Sequence, residues 1–439
     1  MYYLLTIYLI LFIILSYRRI DWAIFLIVFT LPSYLIRFQI LGIPTTLLEL
    51  MILMLFLIWA IKKLGNWEIG KLKQIITNYK LYFFIILFLL AATLSVFISP
   101  NLRSALGIWK AYFIEPILFF IVFINIIDKN KLKNIFTYLA SSTLVLSLFA
   151  IYQKITGNFI SNPFWQDEAT RRVTSVFEYP NALALFLAPL VVLMIGWLIQ
   201  RRGAPCGCPN GKGRGKPCPY EIFISLTIIL GLLSIYFTKS KGAILGILAG
   251  LIFYAIFYKG YRKYFAGLII ISFISLFLYF SISNSPILNT LKGSSTVEGG
   301  DSISTRLDMW SETWEMLKTK PITGAGLSGF QTAVAPYHHK EYIEIFLYPH
   351  NIFLNFWSEI GILGLLTFLL MIVWFYIIGF KNIKYQTSNI LMAGMTCLLV
   401  HGLVDVPYFK NDLSILFWLL ISGMVISNKK IIWKTDKIC

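Results

Sequence analysis

The sequence predicts an all-α, polytopic bundle of membrane-spanning helices. Two observations carry that prediction. Of 439 residues, 58% are hydrophobic and only 13% charged, a balance with which a soluble domain cannot cover its own surface. Apolar runs long enough to cross a bilayer also follow one another from residue 2 to residue 427, separated by short polar connections. In lipid every backbone N–H and C=O must find a partner within the protein, and helices satisfy them segment by segment.

Taken in order, the runs place spans near 2–16, 22–36, 44–61, 81–98, 108–127, 134–153, 182–199, 221–237, 242–258, 264–282, 351–379, 389–406 and 412–427, about 12–13 in all. The chain 1–439 reads as a single transmembrane domain. The first run, Tyr2 to Leu15, has neither a basic region before it nor a small-residue cleavage site after it, so it is expected to be a retained span and not a secretory signal.

The net charge of +18 is spread through the connections and does not form one basic patch, which argues against nucleic acid as a partner and for a report of orientation. With alternate connections on opposite sides, one side collects Arg18, Arg19, Lys62, Lys63, Lys129, Lys131, Lys133, Lys259, Lys381 and Lys384, and by the positive-inside tendency that side is cytoplasmic. The basic insert 201–219 falls there. Its Cys206, Cys208 and Cys218 have no nearby histidine or fourth cysteine to complete a zinc site, so the insert reads as tolerated loop length.

The opposite, outer side holds the loop 154–181 and the larger stretch 283–350. Long connections in compact proteins commonly carry function. Within the second, a helix is expected to start after Ser304 or Thr305, with Leu307, Trp310, Trp314 and Leu317 on one face, and to end at Pro321 and Gly324. That face suits either the membrane surface, closing over a lipid-side cavity, or packing onto the spans.

Against the charge bias, Arg171, Arg172, Lys239, Lys241 and Arg306 lie at the outer face. Guanidinium forks match phosphate oxygens and an ammonium adds a point charge, so these cations point to a lipid-linked phosphate or diphosphate, with pairing to Asp167, Glu168, Asp301 or Asp308 as the alternative.

In YPHNIFLNFWSEIGILGLL, Pro349 and His350 precede an apolar helix along which Asn351, Asn355 and Glu359 recur at i, i+4 and i+8 on one face. Glu359, an ionisable group inside a span, is expected to be a structural tether or part of a site. His350 at the helix start, where the dipole disfavours an imidazolium, is suited to take a proton from a hydroxyl, or else simply to hydrogen-bond the cap. His338, His339, Glu341 and Glu344 do not make a convincing metal set, because consecutive histidines rarely ligate one ion together. No Walker loop, dinucleotide fingerprint, HExxH helix or GxSxG elbow is present, so no metal or cofactor is expected.

Four segments in order, RRVTSVFEYPNALALFLAPL at 171–190, TKSKGAILGILAGL at 238–251, STRLDMWSETWEMLKTKPITGAGLSGFQ at 304–331 and PHNIFLNFWSEIGILGLL at 349–366, resemble the O-antigen ligase and polymerase family of bacterial polysaccharide assembly. HGLVDVPYFKNDLSILFWLL at 401–420 is similar to that family's penultimate loop and final span. The resemblance covers the chain from residue 171 onward; the first 150 residues match only as hydrophobic spans. It implies a GT-C-like glycosyltransferase, metal-independent, in the bacterial cytoplasmic membrane with its site on the outer side.

Such an enzyme moves a glycan from a polyprenyl (undecaprenyl) diphosphate carrier to an acceptor hydroxyl on a lipid, glycan or protein. Position by position, the resemblance assigns Arg172 and Arg306 to the diphosphate and His350 to the base or its assistant; the polar stripe adds Asn351 and Glu359 as supporting residues. Lys241 stands where the family commonly has arginine, keeping the charge but losing the fork. The ligase reading stands beside polymerisation of repeat units and, in a different class, transport of lipid-linked sugars; the absence of an internal repeat argues against the last.

Overall fold

The computed structural model describes residues 2–40, 42–64, 79–201, 219–257, 302–339 and 344–428. The expected span 264–282, the cysteines of the insert, Glu341 and the first part of the 283–350 loop lie outside the described residues. The protein is an α-helical bundle. Among the described residues, seven helices are long and apolar enough to cross a bilayer: Tyr79–Ile98, Leu102–Ile126, Lys129–Thr156, Pro180–Gln200, Pro219–Thr238, Ile352–Lys381 and Asn411–Asn428. Other expected spans form shorter helices at Tyr2–Arg18 (α1), Ile20–Phe29 (α2) and Lys241–Phe257 (α3).

The second expected span, 22–36, is corrected. Its helix stops at Phe29 and a 3-10 turn, Leu31–Leu35, carries Pro32 in its first turn. A short antiparallel hairpin follows, Arg37–Ile40 (β1) with Ile43–Thr46 (β2), pairing Arg37 with Thr46. Pro32 cannot continue an α-helix, and two adjacent extended stretches satisfy each other's backbone.

Helix ends follow local chemistry. Asp128 caps Lys129–Thr156 by accepting from Lys131 N (2.8 Å), and Gly157, at φ 75°, closes it. At the centre lies Asn411–Asn428 (α4), buried along almost all its length, with Tyr408 and Phe417 joining Phe356 and Phe368 in an aromatic core whose closest rings, Phe356 and Phe368, stack at 4.1 Å.

Two packing devices place the site. Gly242, Gly246 and Gly250 form a smooth stripe on α3, and a Cβ on Gly246 or Gly250 would stand 2.8 Å from the Cys397 or Ala393 carbonyl oxygen of Gln386–His401 (α5). Small residues at this spacing let two backbones approach closely. The pair runs antiparallel, so the start of α3 lies against His401 and Val404.

The second device is a break in Ile352–Lys381 (α6) at Ile360 and Gly361, the latter at φ 69°. The break frees backbone groups that then bind a neighbouring loop: Ala325 N donates to Ser358 O (2.7 Å) and Ile362 N to Ile322 O (3.0 Å), while Ser95 Oγ donates to Glu359 O.

The loop helix runs Ser302–Thr319 (α7), starting slightly earlier than expected. Its buried face also differs. Met309, Glu312, Thr313, Met316 and Leu317 are buried, whereas Leu307 and Trp314 are about half exposed, at 55% and 48%. Glu312 turns inward because it is paired: its carboxylate meets His338 Nδ1 at 3.1 Å and accepts from His339 N at 3.2 Å. The apolar-only pattern missed a buried ion pair.

Candidate functional site

The sequence placed four cations or bases on separate segments, and the fold brings all four segments to two short connections, 238–241 and 402–410. His350 stands one residue before the cap of α6, Asn351, whose Oδ1 accepts from Phe353 N (3.0 Å) and Leu354 N (3.1 Å). Asn351 also donates through Nδ2 to Leu403 O (3.1 Å), and Ile352 N donates to Gly402 O (2.8 Å). The head of α6 is thereby stitched to the 402–410 connection. His350 adopts φ 46°, a left-handed conformation uncommon for a side chain of this size.

That conformation directs the ring to Asp405, Nδ1 to Oδ1 3.3 Å. A carboxylate thus faces the ring beside the helix start. Asp405 is buried, which alone would raise its pKa, but hydrogen bonding and charge from His350 and the N–H of Val406 hold it below the usual carboxylate range. An ionised Asp405 keeps the imidazole proton on Nδ1 and leaves Nε2 as the acceptor.

Arg306, near the start of α7, donates from Nε to Val404 O (2.8 Å), one residue from Asp405. Trp310, one turn along, donates from Nε1 to Pro349 O (2.9 Å) and so fixes α7 against the residue preceding His350. Lys241 opens α3 and is exposed. Its neighbour Gly242 packs so closely on His401 and Val404 that a Cβ would lie 2.9 Å and 2.8 Å from them.

Arg172 donates from Nε to Thr238 O (2.8 Å) and from Nη2 to Asn181 Oδ1 (3.1 Å). Both partners are neutral, and partial burial lowers its pKa. The guanidinium is therefore held by dipoles alone at the foot of the segment that carries Lys241. The other outer cations play structural parts: Arg171 binds the Gln166 and Lys154 carbonyl oxygens, each at 3.0 Å, and Lys239 the Thr170 carbonyl oxygen at 3.1 Å.

Glu359 is not with this group. It is fully buried roughly two and a half turns further along α6, and its Oε2 accepts from Ser328 N at 2.6 Å. Of the two roles the sequence left open, this geometry is that of a tether, joining the 324–329 turn to the break in the helix. His338 and His339 each face a separate glutamate, Glu312 and Glu315; among the described residues no group of three or more possible metal ligands gathers.

Asp405 was the residue that sequence reasoning passed over. Its signal was present in HGLVDVP at 401–407, an acidic residue in a short connection between two apolar helices, but nothing local pairs it with His350.

Residues 226–369 match the family model described as O-Antigen ligase, a region that holds Lys241, Arg306, His350 and Glu359. A protein of Rickettsia felis whose name makes it a candidate polysaccharide ligase is 26% identical over 233 residues, 52% of this chain and 54% of that protein. A similarly named protein of Rickettsia typhi is 28% identical over the same length and the same shares. The match thus spans about half the length of these relatives. The chain is thus a multi-pass α-helical membrane protein whose central segment, residues 226–369, is similar to the O-Antigen ligase family.

Proposed function

We propose that this protein is a glycosyltransferase that moves a glycan from a polyprenyl diphosphate carrier to an acceptor hydroxyl on the outer face of the cytoplasmic membrane. The observation that carries the reading is the convergence of a His350–Asp405 pair with Arg306, Lys241 and Arg172 on two adjoining connections. It gives a base next to a group of cations, the pairing that displacement of a diphosphate from a sugar requires.

In this reading His350 Nε2 accepts the proton of the acceptor hydroxyl as its oxygen attacks the anomeric carbon. The bond from that carbon to the diphosphate oxygen breaks, and the leaving group departs with the electron pair. Arg306 and Arg172 take up the charge through guanidinium N–H groups and Lys241 adds its ammonium. Asp405 holds the ring and balances the imidazolium that forms. The diphosphate bond of the donor supplies the driving force, so the scheme calls for no nucleotide.

The test is transfer by the purified protein in lipid nanodiscs, supplied with an undecaprenyl-diphosphate-linked oligosaccharide and candidate acceptors. The reading expects release of undecaprenyl diphosphate in step with a new glycosidic bond. Movement of the donor across the bilayer with no bond made would replace it with transport.

A further inference from the structure

A recess with polar groups set in a largely apolar lining opens at the same end of the bundle. One wall is the π-helical stretch Trp109–Ile114, continuous with the helix Leu102–Ile108 before it. The extra residue of a π turn re-aims the side chains around it, and such turns gather at functional sites. Here Lys110 reaches Glu49, Nζ to Oε2 3.0 Å, and the same carboxylate oxygen accepts from Thr45 Oγ1 (2.7 Å) and Thr46 N (3.1 Å). With Arg37, Gln39 and Gly107 these residues line a cavity of about 360 Å³, within the range of small-molecule sites.

The charges decide what fits. Glu49 is nearly buried and its charge is offset by Lys110. Among the described residues Arg37 contacts Glu178 at 3.4 Å, both side chains being exposed by more than 60%; an exposed pair of this kind is weak and readily exchanges its partner. The recess therefore offers one cation, a hydroxyl, an amide and a backbone edge, which suits a sugar ring carrying a carboxylate or phosphate group.

The recess also leads to the candidate site. Tyr112, on the π stretch, interacts with Tyr348, which lies just before Pro349 and His350. Glu178, the contact partner of Arg37, adjoins Tyr179, whose ring centre lies 4.0 Å from Lys410 Nζ in the connection that carries Asp405. None of the lining residues belongs to the cation group proposed for the diphosphate, so the recess is free for the second substrate.

We infer that the recess bounded by Arg37, Glu49, Gly107 and Lys110 binds an acidic sugar of the acceptor glycan, one whose ring carries a carboxylate or phosphate. Its role as an acceptor subsite rests on the transferase reading above; binding of the sugar does not.

The experiment is saturation-transfer NMR on the full chain in nanodiscs without donor, titrated with methyl glucuronide, glucose 6-phosphate or methyl glucoside. At least one acidic sugar should bind saturably, the neutral one tenfold or more weaker, and the tighter of the two acidic probes identifies the substituent. Arg37→Ala and Gly107→Leu should each weaken binding tenfold or more, and His350→Ala should leave it unchanged. A Cβ at Gly107 meets nothing within 4 Å and leucine favours the helix, so that variant fills the recess without unfolding the chain.

Equal binding of the neutral sugar would overturn the acidic class. No saturable binding, or binding untouched by both recess variants, would overturn the site. Binding as expected by a protein that transfers no glycan would uphold the recess and remove only its acceptor role.

Discussion

His350 and Asp405 face each other, Nδ1 to Oδ1 3.3 Å, although 55 residues of chain, including two apolar helices, separate them. The contact is made because Asn351 and Ile352 bind the carbonyls of Leu403 and Gly402, so the same stitching that caps one helix sets the base of another connection. Orientation of the ring thus rests on the hydrogen bonds its chain neighbours make to the 402–410 connection.

His350→Ala should lower turnover by ~10²–10⁴-fold, the usual contribution of a general base, while binding of polyprenyl diphosphate donor persists. Asp405, held below the usual carboxylate range, should stay ionised into mild acid, so the ring keeps its partner there. Asp405→Asn should cut turnover roughly tenfold or more with donor binding kept. Single-turnover assays paired with donor binding measure both; joint loss of the two in His350→Ala would make it a donor-binding residue.

Arg172→Ala and Arg306→Ala should abolish glycan transfer without loss of membrane expression, and lysine at either position should rescue only partly. The Arg172 fork reaches Thr238 O and Asn181 Oδ1 at once, a bridge that a single ammonium on a flexible stem reproduces poorly. Donor binding and transfer in membranes of matched protein content check this. Full activity in both alanine variants would sink the diphosphate role.

Glu359 should act on stability and not on the chemical step. Glu359→Ala leaves the Ser328 N–H without its acceptor, at a cost of about 1–3 kcal/mol, whereas Glu359→Gln keeps an acceptor and should be milder. Gly361→Ala adds strain of roughly 1–3 kcal/mol at a positive φ, and its methyl collides with the Ile322 carbonyl oxygen. Thermal unfolding in detergent should rank them, with turnover per folded molecule near normal in Glu359→Gln. A His350-like loss of turnover there would place Glu359 in the chemistry.

The orientation is tested by a cysteine at Ser311, an exposed position on the loop helix, in a chain whose native cysteines are replaced. An impermeant thiol reagent should label it in intact spheroplasts. Labelling only after permeabilisation would reverse the assignment of sides.

The sequence by itself determined the membrane class and most of the described helices, and it offered the candidate site residues. Length and apolarity of a run are local properties, the Asn351 cap is read from adjacent residues, and cations placed against the charge bias stand out without a structure. It also held the motif segments that resemble the O-antigen ligase family.

Tertiary structure decided which of these residues meet. Arg306 reaches Val404 across 98 positions and Arg172 reaches Thr238 across 66, and both meetings depend on the glycine stripe that lets Lys241–Phe257 lie flat on Gln386–His401. The inward turn of Glu312 toward His338, the hairpin after Pro32 and the partnership of His350 with Asp405 were hidden for one physical reason. Periodicity reports which face of a helix is apolar, but a buried polar residue is stable only beside its partner, and that partner is chosen by packing between segments far apart in the chain.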